Sequence, residues 1–260
     1  GQANSGLGKT DQARSDFDHA LGVLAGDTGS YMSVVKIGGQ ALTPEVMLEV
    51  LKNRASMHPE EPIAQLGEVE MYSDLNEGAE SVPLLNALLA NKAAESLHKE
   101  AKRALGLAKY QAKDFNGAYA AYKDVLADDP YDAETLNNLA YMLCEDMNRP
   151  TDALPFAQRA VQALSQGAPE GILLSQGSVL DTFGWAKYRS GDKEGAISEL
   201  RRSIESDHLP IAYLHLAKVY KDVGRVDEAK RTVNDGLHAV AVAKDPAVTQ
   251  LEGLRKELGS

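Results

Sequence analysis

A chain of 260 residues with 43% apolar and 25% charged residues has the makeup of a globular protein, with length for one large domain or two ordinary ones. Its net charge of −11 argues against binding a nucleic-acid backbone or an anionic membrane surface, and favours a protein partner of neutral or basic character. The single cysteine, Cys144, excludes an intramolecular disulfide and a cysteine-built zinc cluster, and no apolar run approaches the roughly 18–20 residues of a membrane span.

In chain order, the opening GQANSGLGKT has neither a basic start nor an apolar core, so no signal peptide is visible. The abrupt start and the final ELGS read as the ends of a piece of a longer protein, cytoplasmic or periplasmic, with any targeting segment lying outside it. GLGKTDQARSDFDHAL reads as the second helix of a hairpin whose first helix is mostly missing. TPEVMLEVLKNRASMHPE reads as a helix opened by Thr43-Pro44 and closed near Pro59. Beyond it, helical runs alternate with short breaks: SDLNEG, AKDF, DMNRPT, GD at Gly191-Asp192, and KDVGRVDEA around Gly224. A long helical stretch near Leu97 joins the less regular half to the more regular one. ADDP, ending at Pro130, closes one unit and restarts the next, since proline cannot continue a helix but can open one. From Asp245 onward, DPAVTQLEGLRKEL reads as a terminal helix with a charged face.

A small residue before each break is matched by another twelve residues later: Gly67 and Ala79, Gly106 and Ala118, Gly184 and Ala196, Ala217 and Ala229. Ala140 and Ala153 are one residue further apart. The second members recur at 39, 35, 43 and 33 residues, the longest interval holding an insertion around SQGAPEGILLSQG. Two antiparallel helices approach closely only where side chains are small, so Gly106, Ala140, Gly184 and Ala217 on first helices and Ala118, Ala153, Ala196 and Ala229 on second ones read as helix crossings. Leu105, Leu139, Phe183 and Leu216 sit directly before the first small residue and would fill the space beside it; Tyr110, Phe115, Tyr122, Tyr188 and Tyr220 would do similar work nearby.

A period near 34 built from two short helices resembles the tetratricopeptide repeat family, most clearly from His98 to His238. The resemblance implies an all-α fold, an α-solenoid (superhelix) of roughly six antiparallel helix pairs. Residues 1–96 would be degenerate repeats beginning mid-repeat, 97–240 well-defined repeats, and 241–260 a C-terminal capping helix. The run LNNLAYML … DTFGWAKYRSGD … AISELRRSI is also similar to repeats of bacterial proteins in envelope and polysaccharide-export systems.

Signals for chemistry are weak by comparison. ANSGLGKT, from Ala3 to Thr10, satisfies a relaxed phosphate-loop pattern, but only two residues precede it and no strand can feed it, so it reads as an inter-helix turn. His208 and His215 are seven residues apart across Pro210, whereas a helical metal pair needs three or four. The carboxylate pairs Glu60-Glu61, Asp128-Asp129 and Glu145-Asp146 read as solvated helix ends, and Cys144 as a packing residue. The expectation is therefore a non-catalytic scaffold with no metal and no cofactor.

In the family the first helices line a concave groove that takes a partner peptide or helix. Carried onto this chain, the resemblance assigns Arg103, Leu107, Tyr110 and Gln111 to that groove from one unit, and Asn137, Tyr141, Cys144 and Glu145 from the next. Asp181, Trp185, Tyr188 and Arg189 follow, then Leu214, Lys218 and Lys221. Trp185, the one tryptophan, reads either as an interface anchor or as packing between repeats. A chaperone-tail clamp is disfavoured, because Asp181 and Trp185 stand where that clamp wants basic residues. The alternative to a free-standing scaffold is an interaction module of a larger bacterial envelope, polysaccharide-export or enzyme assembly, whose active part lies elsewhere. Ile172, Leu173 and Leu174 in the insertion read as packing back on the next hairpin.

Overall fold

The computed structural model describes residues 2–166, 174–239 and 245–259, with side chains from residue 10 onward. Among these residues there are fourteen α-helices, one 3-10 segment and no strand. The helices are α1 (Gln2–Leu24), α2 (Thr28–Ala41), α3 (Pro44–Met57), α4 (Ile63–Asp74), α5 (Gly78–Ala90), α6 (His98–Gln111) and α7 (Phe115–Asp128), with the 3-10 segment at Lys92–Leu97. They continue as α8 (Ala133–Glu145), α9 (Pro150–Ser165), α10 (Gln176–Arg189), α11 (Lys193–Asp207), α12 (Pro210–Asp222), α13 (Val226–Ala239) and α14 (Pro246–Leu258). The chain forms two compact units, Gly1–Asp128 and Asp129–Ser260. Both are built as stacked helical hairpins, an α-solenoid architecture.

Local chemistry sets the helix ends. Thr43, Asp132, Ser175, Asp192 and Asp245 each cap the helix that follows by accepting a hydrogen bond from an amide of its first turn. Proline occupies the first turn of α3, α9, α12 and α14, where its missing N–H costs nothing. Five hairpin turns place one residue in the left-handed region: Asn76, Lys113, Asn148, Gly191 and Gly224. The turn geometry is thus common to both units even where the residue differs.

In the first unit, α1 packs on α2 and α3, followed by the hairpins α2/α3, α4/α5 and α6/α7. One core runs from Leu21 through Tyr31, Met47, Leu51, Met71 and Leu88 to Ala108. Glycine admits methionine here: a Cβ on Gly38 would lie 2.5 Å from the Met47 sulfur, and one on Gly39 3.1 Å from that of Met71. In the second unit α8/α9, α10/α11 and α12/α13 are hairpins, and α14 lies against α12 and α13. Leu251 and Leu254 of α14 join Tyr213, Leu214, Ala217 and Val233 in a buried cluster that closes that end.

The crossing residues hold in the regular repeats. Gly106, Ala118, Ala140, Ala153, Gly184, Ala196, Ala217 and Ala229 are all buried. A Cβ on Gly184 would meet Leu200 Cγ at 2.8 Å and its backbone nitrogen at 3.2 Å. At the earlier twelve-residue interval Gly67 is buried but Ala79 is exposed, and Gly78 and Ser81 carry the buried small positions of α5. The expected turn at ANSGLGKT is also corrected, because α1 runs through it without a break. A continuous helix offers no loop to cradle phosphate. Near Leu97 the expected long helix is interrupted by the 3-10 segment, whose Ala94 has non-helical angles. Ile172 and Leu173 lie outside the described residues, and Leu174 is partly buried just before the Ser175 cap.

Candidate functional site

The first helices of the second unit present three ladders spaced by about one helical turn: Asn137, Tyr141 and Glu145 on α8; Asp181, Trp185 and Arg189 on α10; Leu214, Lys218 and Lys221 on α12. Helix α10 packs against both α8 and α12, so the ladders stand side by side. Leu214, at the start of its ladder, and Cys144 are both buried and offer a partner no surface, and burial pushes the Cys144 thiol up to about 12, which keeps it protonated and unreactive.

A chain of polar contacts ties the ladders together. Asp181, 4% exposed, faces His215 Nδ1 at 2.9 and 3.1 Å through its two carboxylate oxygens. The His215 ring stacks on Trp185 with centroids 4.0 Å apart and planes 11° from parallel. The Trp185 indole N–H donates to Glu145, and Arg189 donates to the same Glu145 oxygen at 2.7 Å and to Asn148 at 2.9 Å. Trp185 is only 7% exposed, so most of its ring is used in packing one repeat on the next. Asp181 is equally committed: both of its carboxylate oxygens face the His215 ring nitrogen within the protein.

What remains open on this face is different. Tyr141 is 37% exposed. Burial and the surrounding Glu145, Asp146 and Asp181 carboxylates raise its phenol above the ordinary range, so it stays a hydrogen-bond donor. Asn137 is 9% exposed and its Oδ1 has no hydrogen-bond partner, a buried acceptor that carries a desolvation cost.

Between α10, α12 and α14 lies a cavity of about 670 Å³. Trp185, Tyr188 and Leu254 give it an apolar side, and Lys218, Lys221, Asp222, Gln250 and Glu257 a polar one. Two ion pairs stand at its edge: Lys221 with Glu257, and Lys193 with Asp222 at 2.7 Å. Lys218 differs from both. Its ammonium lies 5.9 Å from the Trp185 ring centroid and donates to the neutral Gln250 amide oxygen at 3.3 Å. Burial lowers its pKa, opposed by the more distant Glu145 charge.

In the first unit α6 carries the remaining expected residues. Leu107 and Gln111 border a small cavity of about 40 Å³ together with Ser81. The Gln111 amide donates to the Ser73 carbonyl and hydroxyl at 3.0 and 3.1 Å, while its own Oε1 is buried without a partner. Tyr110 packs on Phe115 with centroids 6.0 Å apart, and Arg103 is half-buried with interactions of its own. His58, Glu60 and Glu61 bring ligand atoms within 4.8 Å of one another, but Arg54 already holds Glu61 at 2.6 Å and its positive charge opposes a cation.

Sequence reasoning missed His215, Gln250 and Glu257 as members of this face. His215 sits 34 residues after Asp181, one repeat on, a spacing that marks residues on adjacent first helices. Gln250 and Glu257 belong to a helix expected only to cap the stack.

The tetratricopeptide-repeat family model matches residues 133–164, the α8/α9 hairpin. No curated protein matches the sequence. Solved structures do match. PilW, described as a widely conserved type IV pilus biogenesis factor, superposes with a TM-score of 0.62 at 17% identity, over 76% of this chain and 86% of PilW. PilF of Pseudomonas aeruginosa gives a TM-score of 0.63 at 13% identity, over 96% of this chain and 99% of the other. YrrB, described as a repeat protein of this kind with an unusual peptide-binding site, gives 0.53 at 16% identity, over 80% of this chain and 99% of YrrB. At these identities the likeness is one of fold.

Proposed function

Starting from a chain with the tetratricopeptide-repeat fold, we propose that it is a non-catalytic scaffold whose second unit holds a peptide or helix of a partner protein on the face of α8, α10 and α12. The observation that carries this reading is the arrangement of that face: a platform of Asp181, Trp185, His215 and Arg189 held by its own hydrogen bonds and stacking, from which Tyr141 projects and beside which the cavity opens. A platform already ordered spends little of its interaction free energy on further ordering when a ligand arrives. Tyr141 supplies an amphipathic ring of the kind that dominates interface energetics. The exposed Asp146 carboxylate close to it suits a basic group on the partner, as does the net charge of −11. In the first unit Arg103, Leu107, Tyr110 and Gln111 occupy the corresponding helix, α6, and belong to the same reading. The reading is unchanged if the chain works as a module of a larger bacterial assembly.

Trp185→Ala is a poor test, because removing a buried, stacked ring would disturb the platform itself. Partner recovery with Tyr141→Ala, compared with the native chain, tests the face more cleanly. Undiminished recovery by a folded Tyr141→Ala variant would sink the assignment.

A further inference from the structure

Resting on that reading, we infer that the cavity between α10, α12 and α14 seats an acidic side chain, aspartate or glutamate, of the bound peptide, with its carboxylate on the Lys218 ammonium. The cations beside the cavity are otherwise matched: Lys221 is paired with Glu257, Lys193 with Asp222, and Arg189 with Glu145. Among the described residues no carboxylate lies within ion-pair distance of Lys218. An ammonium has three donors, and the hydrogen bond to Gln250 uses one of them on a neutral acceptor. The side chain is half-buried with its ammonium over the Trp185 ring, so part of its hydration is already lost before any ligand arrives. A desolvated cation without a counter-charge is costly, and an incoming carboxylate would relieve that cost. Burial depresses its pKa in the same sense: the charged form is poorly compensated within the protein.

The carboxylates that line the cavity do not oppose this. Asp222 and Glu257 each have a lysine of their own, and Glu145, whose charge reaches Lys218 from beyond ion-pair distance, is paired with Arg189. Trp185, Tyr188 and Leu254 supply apolar surface for the methylene stem of the acidic residue. The cavity, at about 670 Å³, is roomy enough for one side chain and the backbone that carries it. The partner segment that follows is of mixed charge, with a basic residue near Tyr141 of α8 and Asp146 just beyond it, and an acidic one at Lys218 on α12.

The test begins with short random peptides displayed on phage and selected on the full chain. Enriched sequences are then made with acetylated and amidated ends, so that no terminal carboxylate contributes, in matched acidic and amide (Glu or Gln, Asp or Asn) versions. The expected result is that the acid-to-amide change weakens binding to the native chain by about tenfold or more. It should leave binding to Lys218→Met unchanged, and Lys218→Arg should restore the preference. An equal loss with native chain and Lys218→Met, or no loss with either, overturns the inference. Peptides that need Tyr141 but show no acidic preference overturn this inference alone. Peptides insensitive to Tyr141→Ala, or a selection that yields none, overturn the reading of the face and the inference with it.

Discussion

The two units solve the same packing problem with different chemistry. In the second, helices pack more extensively within a hairpin than between hairpins, and α10/α11 is the tightest pair. In the first, α3 packs more on α4 than on its own partner α2, and α5 more on α6 than on α4. The first unit's core is mainly leucine and valine, but at two close approaches an adaptable methionine, Met47 or Met71, sits against a glycine, Gly38 or Gly39. Each unit also buries a polar hub, placed differently. Arg54, 4% exposed, holds the Asp18 carbonyl and carboxylate at 3.2 Å and Glu61 at 2.6 Å, tying α1 to α3 and the turn after it. Asp181 and His215 instead tie two first helices together, on the face assigned to the partner.

Breaking the hubs tests that difference. His215→Leu strands a buried Asp181 carboxylate and should cost about 3–5 kcal/mol in denaturant unfolding, with a shift in Trp185 fluorescence. Adding Asp181→Leu should recover most of the loss, since it removes the stranded charge. Arg54→Leu should cost somewhat less, about 3 kcal/mol, because Asp18 and Glu61 are partly exposed and can rehydrate. It should leave peptide affinity unchanged, whereas His215→Leu should lower both stability and affinity. Gly184→Ala should cost about 1–3 kcal/mol, since its Cβ would press on Leu200. The same change at Gly191, where no atom crowds the site, acts only through its positive φ of 97° and should cost less.

The smallest effect concerns Glu68 of α4, buried with only Lys52 to offset it, so that burial raises its pKa above the ordinary 4.5. A raised carboxylate pKa means that protonation favours the folded state. Glu68 therefore costs nothing below pH 4.5 and destabilises as pH rises through the raised value. Glu68→Gln should raise the melting temperature at neutral pH and lose that advantage in acid; an advantage that persists at low pH would contradict the assignment.

Much of the fold was legible because close helix crossings force small residues into register. Gly106, Ala140, Gly184 and Ala217 announced α6, α8, α10 and α12, and each is buried where the spacing put it. The first unit was harder to read because its seams run between hairpins. Ala79 kept the twelve-residue spacing while Gly78 and Ser81 did the packing. Gly38 and Gly39 faced methionines from α3 and α4 that no repeat pattern specifies. For the site, periodicity placed the ladders but could not tell open from satisfied residues. Trp185 and Tyr141 look equally suited to a partner in sequence. A histidine one repeat along and a glutamate one repeat back occupy the first and leave the second free.

The central claim is that a partner docks on the α8–α10–α12 face, and tyrosine gives the cleanest measurement. Tyr141 at 37% exposure and Tyr131 at 53% both lie in the second unit, but only Tyr141 is on that face. The account predicts that Tyr141→Ala weakens binding of a selected peptide by about tenfold or more while Tyr131→Ala leaves it unchanged, measured by titration on folded proteins. Equal losses from both, or none from Tyr141→Ala, would contradict it.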